Sequence, residues 1–324
     1  MIFKTPKFWQ NNNFISWCLS PFSLIYLLVH KINFNLQTPQ KFNKTIICIG
    51  NITAGGAGKT PTAIVVGSLL QNLGYNIAFA CKNYVGQNSQ PKMIDYIHDI
   101  ASDVSDEPLL LAKVAPTFAA KHRIEAIKLA CANRDVDIVI VDDGLQSNRF
   151  VSDIKIMVID NDLQFGNKKL LPAGPLREPI SRSGEYDLIL QVGGVKKNIT
   201  EFQPYQNKLF ILTKHLQTPK PIKKQYIAFS GIAYPEKFFK DLEQLKINVI
   251  EKISFPDHYL YKNSDLVKLQ NLALKLQAQL ITTEKDSVRM NTYWKKEVQT
   301  IKMTLSFVKQ EDFISKLKNK LNNI

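Results

Sequence analysis

Apolar residues recur along this chain with strand-like and helix-like spacings that alternate. Ile46-Ile47-Cys48-Ile49 is an unbroken apolar run and predicts a strand over 45–49. A glycine-rich turn follows, then a helical spacing over 61–73 closed by Gly74 in a C-cap position. Residues 76–80 give a second apolar run, and 81–91 read as a polar loop. Asp106-Glu107-Pro108 places acids and a proline where a helix start favours them, predicting a helix through Lys113. An amphipathic helix is predicted over 121–133. Ile138-Val139-Ile140-Val141 is β-branched without alternation, the pattern of a strand buried on both faces of a parallel sheet. Further strands are predicted over 153–160, 188–192 and 209–212.

From 214 to 224 the composition shifts to Pro and Lys without periodicity, which suits a boundary. Beyond it, strands over 226–229, 248–255, 280–283 and 300–307 alternate with helices over 235–246, 264–277 and 312–321. The fold expected is α/β, a P-loop NTPase-like doubly wound and mostly parallel sheet with a second, smaller α/β domain. The divisions expected are an apolar N-terminal region over 1–35, a core domain over 36–220 and a C-terminal domain over 221–324.

The segment from Phe14 to Val29 is strongly apolar and flanked by Lys4, Lys7, His30 and Lys31. It is short for a membrane span and lacks a secretory cleavage site. Two readings stay open: a helix lying in a membrane interface, or one packed on the protein's own core.

Charge narrows the partners. The 324 residues carry a formal net charge of +14, which suits an anionic partner: nucleic acid, an anionic membrane surface or a phosphorylated substrate. The basic residues are scattered among acids, and no like-charge arm marks a nucleic-acid binder. Cys18, Cys48, Cys81 and Cys131 have no paired spacing, so neither a disulfide framework nor a metal site is expected of them.

The candidate chemistry starts at Gly50–Pro61. Strand, glycine-rich loop and helix form the context of a phosphate-binding loop. Thr53, Ala54, Gly55, Gly56, Ala57, Gly58, Lys59 and Thr60 are the expected nucleotide contacts. Backbone N–H groups can curl around phosphate there, Lys59 can reach the outer phosphates, and the Thr60 hydroxyl can ligate Mg²⁺. Thr53 stands where the strict pattern has glycine. Asp142-Asp143 closes the buried strand as a metal-holding acid pair would. Leu171–Pro179 is a proline-rigid loop around Arg177 and Glu178, suited to phosphate or metal contact. His258, in Phe255-Pro256-Asp257-His258, reads from the residues alone as a surface histidine or a catalytic one.

Together these stretches resemble the tetraacyldisaccharide 4′-kinase family, the lipid A 4′-kinases of Gram-negative bacteria. The resemblance rests on Gly50–Pro61, Ser105-Asp106-Glu107-Pro108, Asp142-Asp143-Gly144-Leu145-Gln146, Leu171–Glu178, Phe255–His258 and Thr283-Glu284-Lys285-Asp286, in that order. The Asn-Ile-Thr lead at 51–53 is itself a family feature. The resemblance implies transfer of the ATP γ-phosphoryl group to the 4′-hydroxyl of a tetraacyldisaccharide 1-phosphate, giving lipid IVA. It further implies ATP and Mg²⁺ as cofactors, a lipid substrate, and a place on the cytoplasmic face of the inner membrane, peripheral or monotopic through the N-terminal helix. No nucleic acid or protein partner is implied.

Carried over residue by residue, Asp106 matches the proposed base and His258 its supporting histidine, with Lys59 and Arg177 supplying charge. Asn51, Tyr84 and Arg123 fall at substrate-side positions. Thr60, Asp142, Asp143, Gln146 and Glu178 fall where metal and active-site organisation are expected. Lys82 stands where the family usually has arginine, and Tyr259 where it often has a second histidine. A membrane-associated P-loop NTPase acting as a switch or metallochaperone is the alternative, but it needs neither Asp106-Glu107-Pro108 nor the Arg177 loop.

Overall fold

The computed structural model describes residues 6–83, 90–194, 199–217 and 225–324. In chain order, α1 (Phe14–Cys18) and α2 (Ser20–Asn35) precede β1 (Thr45–Gly50), α3 (Lys59–Asn72), β2 (Ile77–Lys82) and β3 (Lys92–Met93). Then come α4 (Ala101–Val104), α5 (Asp106–Ala112), β4 (Thr117–Ala120), α6 (Arg123–Ala132), β5 (Ile138–Asp142), β6 (Ile154–Asp160), β7 (Leu188–Val192) and β8 (Leu209–Gln217). The chain ends with β9 (Tyr226–Ser230), α7 (Pro235–Gln244), β10 (Val249–Ser254), α8 (Asn263–Lys275), β11 (Gln279–Thr283), α9 (Glu284–Ser287), α10 (Thr292–Glu297), β12 (Gln299–Phe307) and α11 (Gln310–Leu321).

The strands of the described residues join one sheet, in the order β10-β9-β11-β12-β8-β7-β6-β1-β5-β2-β4-β3. β1 lies between β5 and β6 and is parallel to both, which buries it on both faces, as its unbroken apolar run requires. Pairing is parallel except for β3 against β4 and β12 against β8. The antiparallel β8–β12 seam divides the sheet into a first half, β1–β8, and a second half, β9–β12. Apolar clusters cover both faces of the first half, and two further clusters cover the second. Helix α11 follows the second half in sequence, but it packs Phe313 and Leu317 into the first-half cluster beside Leu190 and Leu212.

The expected aperiodic stretch from 214 differs from the structure. β8 runs on to Gln217, with Lys214 pairing with Asp241 and His215 hydrogen-bonded to Ser306. Polar side chains satisfied across the seam let a Lys-rich segment serve as a strand; residues 218–224 lie outside the described ones. Strands β3 and β4 are additions, too short to carry a readable period.

The N-terminal helices invert the usual pattern. The Asn13 side chain caps α1, and Pro21 opens α2. Their buried residues are Ser16 and Ser23, while Phe14, Trp17, Leu24 and Leu28 are 82%, 75%, 70% and 60% exposed. The helices dock through polar groups: Ser23 donates to the Leu170 carbonyl at 2.9 Å and Tyr26 to that of Arg177 at 3.2 Å. Packing of the apolar side on the protein's own core is therefore excluded. Among the described residues, no helix is long and apolar enough to cross a membrane.

Candidate active site

β1 delivers the chain into the glycine-rich loop at the carboxyl end of the sheet, where ligands of open α/β folds bind. Gly55 and Gly58 take left-handed φ values of 104° and 79°, so the loop can curl before Lys59 starts α3. The 171–179 loop pairs with it: Ala54 N–H donates to the Pro175 carbonyl and Arg177 N–H to that of Ile52, each at 2.7 Å. On the other side stands Tyr234, from the second half-sheet. A Cβ at Gly55 would come within 2.8 Å of its ring.

The side chains converge as expected at this end. Lys59 Nζ donates to Asn51 Oδ1 at 3.2 Å and lies 3.4 Å from Asp143. Thr60 Oγ1 donates to Asp142 Oδ2 at 3.0 Å. Arg177 Nη1 meets both Asp143 oxygens, at 3.0 and 3.2 Å, and Gln146 Oε1 at 3.3 Å. Gln146 also donates to the Asn51 carbonyl, and Arg123 to that of Asp142.

Adjacent acids hold their protons very differently. Burial, then the charges of Glu107 and Asp143, push the Asp142 carboxyl up to about 7. Burial also opposes charge on Asp143, but Lys59, Arg177 and Arg123 outweigh it and hold that carboxyl at about 2. Asp142 Oδ1 is buried and has no hydrogen-bond partner. An orphaned carboxylate oxygen beside a threonine hydroxyl at a helix N-terminus suits a hard divalent cation.

Glu178 is not with these acids. It is fully buried, accepting from Tyr186 OH at 2.6 Å and Arg182 Nη1 at 2.9 Å, with His30 Nε2 at 3.3 Å. Arg177 turns to Asp143 while Glu178 turns towards α2. Its expected metal role is replaced by anchorage of the N-terminal helix. Tyr84 lies outside the described residues.

Asp106 opens α5 and faces the second half-sheet. His258 Nδ1 lies 3.2 Å from its Oδ1, and Arg289 Nε donates to its Oδ2 at 2.8 Å. Lys285 pairs with Glu107 at 3.0 Å, and Lys113 with Glu284 at 2.8 Å. Burial opposes charge on Asp106, but Lys285, His258 and Arg289 hold its carboxyl far below the usual range. Sequence reasoning missed Arg289. The available signal was its place one helical turn after Asp286 of the Thr283–Asp286 stretch.

Comparison with known proteins agrees with this architecture. A family model described as Tetraacyldisaccharide-1-P 4′-kinase matches residues 15–322. A tetraacyldisaccharide 4′-kinase of Rickettsia typhi is 37% identical over 88% of this chain and 89% of its own length. That of Parvibaculum lavamentivorans is 36% identical over 89% and 87%. A crystal structure of Aquifex aeolicus LpxK in complex with ATP superposes with a TM-score of 0.75 at 24% identity, covering 94% of this chain and 99% of that one. With the phosphate loop, the acid pair and the Arg177 loop assembled in one place, the chain belongs to the tetraacyldisaccharide 4′-kinase family.

Proposed function

We propose that the chain performs its family's phosphoryl transfer with ATP and Mg²⁺, the acceptor being the 4′-hydroxyl of a tetraacyldisaccharide 1-phosphate and the product lipid IVA. The observation that carries the cofactor assignment is Thr60 Oγ1 bonded to Asp142 beside that residue's orphaned Oδ1. Thr60 and Asp142 would hold Mg²⁺, with Asp143 and Gln146 organising the surrounding groups. Bound there, the ion would supply positive charge against the phosphates.

This chain's own residues do the rest. The loop from Thr53 to Thr60 wraps the phosphates with backbone N–H groups, and the start of α3 favours their charge. Lys59 and Arg177 stabilise charge on the transferring group, and Asn51 and Gln146 keep both in place. Arg123 faces the acceptor side. Asp106 and His258 form the pair that takes the acceptor proton, so the reacting hydroxyl enters between the half-sheets. The charge of Glu107, next to Asp106, acts on Asp142, which supports the two ends facing one cleft. The exposed apolar side of α1 and α2 supports a lipid-surface location on the cytoplasmic face of the inner membrane, where an acylated substrate is held.

An acceptor-dependent phosphorylation assay on mixed lipid vesicles tests this reading. Asp106→Asn is expected to lower acceptor phosphorylation by about 10²–10⁴-fold while ATP affinity stays near the parent's. Near-parental turnover would overturn the base assignment. ATP hydrolysis indifferent to acceptor would instead favour a nucleotide switch.

A further inference from the structure

Asp106 belongs to the first half-sheet, yet the side chains that hold it come from the second. Both of its oxygens are occupied. Oδ2 receives Arg289 Nε at 2.8 Å and also Arg289 Nη2; Oδ1 receives the Glu107 N–H at 3.0 Å and faces His258 Nδ1. The Arg289 side chain is only 1% exposed and is itself held in place. Its Nη1 donates to the Gly231 carbonyl at 2.6 Å and to Asp286 Oδ1 at 3.2 Å. Asp286, fully buried, also accepts from Ser230 Oγ, Gly231 N–H, Tyr261 OH and Thr283 Oγ1. The same Gly231 carbonyl accepts the His258 backbone N–H at 3.1 Å. One carbonyl thus sets the positions of both Arg289 and His258. A fork held this rigidly loses little entropy on gripping a carboxylate.

We propose that Arg289 is the positioning residue of the Asp106–His258 pair, gripping Asp106 Oδ2 so that its Oδ1 stays turned to His258 Nδ1. The inference rests on the Asp106–His258 reading given above. With Oδ2 held by the guanidinium and Oδ1 turned to Nδ1, Nε2 is the ring nitrogen left to the acceptor, on a side chain 47% exposed and 3.8 Å from Asp257 Oδ2. In the step, the acceptor O–H bond breaks and its proton bonds to Nε2 while Nδ1–H donates to Asp106. The acceptor oxygen's electron pair forms the bond to the γ-phosphorus, and the bond from that phosphorus to the β-bridging oxygen breaks as ADP leaves. Because Arg289 and His258 both stand on the second half-sheet, the pair exists only while that half is seated on α5.

The test is the pH dependence of kcat for Arg289→Met and Arg289→Lys, with ATP affinity measured alongside. The charged and titratable groups facing the pair are Glu107 from α5, Lys285 and Asp286 from α9, and Asp257 and Tyr261 from the 255–261 loop. Removing the guanidinium charge makes Asp106 easier to protonate. Arg289→Met is therefore expected to lose about a hundredfold in kcat, a misplacement-sized loss, and to shift the acid limb to higher pH. Arg289→Lys keeps the charge without the fork: its acid limb stays in place while kcat falls about tenfold. ATP affinity is unchanged in both. An Arg289→Met rate within about threefold of the parent, or equal losses in both variants with unmoved limbs, would overturn the proposal. Should Arg289→Met fail to fold, Arg289→Lys decides alone, and a parental kcat refutes the role. Asp106→Asn keeps the two readings apart. If it is inactive while the Arg289 variants are parental, only the positioning role falls; if it is near-parental, the pair itself falls.

Discussion

At one end of the proposed site, Lys59 and Thr60 at the start of α3 meet Asp142 and Asp143 at the end of β5, within a single half-sheet. Their geometry follows from the β1–β5 register, in which Ile49 pairs with Asp142. At the other end, Asp106 meets His258 and Arg289 across 152 and 183 residues of sequence and across the two halves of the sheet. The hydrogen bonds of Lys59, Thr60, Arg123, Gln146 and Arg177 at the phosphate end lie within the first half-sheet. The proton end is assembled by contact between the halves. If Asp106 and His258 take the acceptor proton as proposed, such a division would let nucleotide bind before the chemistry is competent and so limit wasteful transfer to water.

The largest expected effect on binding and turnover together breaks the comparison at its local end. Lys59→Ala should lower turnover by about a thousandfold and should weaken ATP binding as well. That second loss separates it from Asp106→Asn, in which binding is spared. Equilibrium titration with ATP beside the transfer assay distinguishes them, and parental ATP affinity in Lys59→Ala would erase the contrast.

A pH experiment sharpens the same end. The Asp142 carboxyl, raised from 3.8 to about 7, keeps its proton over a range in which the unfolded chain would release it. Without metal, its contribution to stability is present below about pH 4 and is lost as the pH rises through about 7. A cation competes for the same group, so Mg²⁺ affinity of the ATP complex should climb up to about pH 7, by at most about tenfold per unit, and flatten above. Calorimetric Mg²⁺ titrations at successive pH values check this. Asp142→Asn should abolish the climb, and a climb that persists in that variant would remove Asp142 from the ligand set.

What was legible in the sequence follows the same division. The phosphate loop, the buried β5 run and its terminal acids are contiguous, and local backbone chemistry dictates their arrangement. The roles of Asp106 and His258 came from family resemblance, because no periodicity links residues so far apart. Arg289 offered only its place one helical turn after Asp286, and that spacing says nothing of the distant carboxylate it grips. Glu178 misled because its neighbour Arg177 does face the acids, and adjacency in a loop does not fix which way the next side chain turns. The apolar stretch at 14–29 was readable as a helix, but which face docks depended on Leu170 and Arg177 offering carbonyls to Ser23 and Tyr26.

The smallest expected effect is the sharpest check on the comparison. Lys237 of α7 reaches across to Asp160 at the end of β6, so the halves also touch beside the phosphate loop. The Lys237 side chain is 27% exposed, and a partly solvated pair of this kind contributes under about 1 kcal/mol. Were the phosphate end truly self-sufficient, Lys237→Ala would change ATP affinity by no more than about fivefold. Its kcat should fall further than its ATP affinity, because a loosened seam disfavours the Asp106–His258–Arg289 contact. A loss confined to ATP affinity would mean that the second half-sheet, with Tyr234 over Gly55, belongs to the nucleotide site as fully as the loop does. The two ends would then form a single site that closes as one.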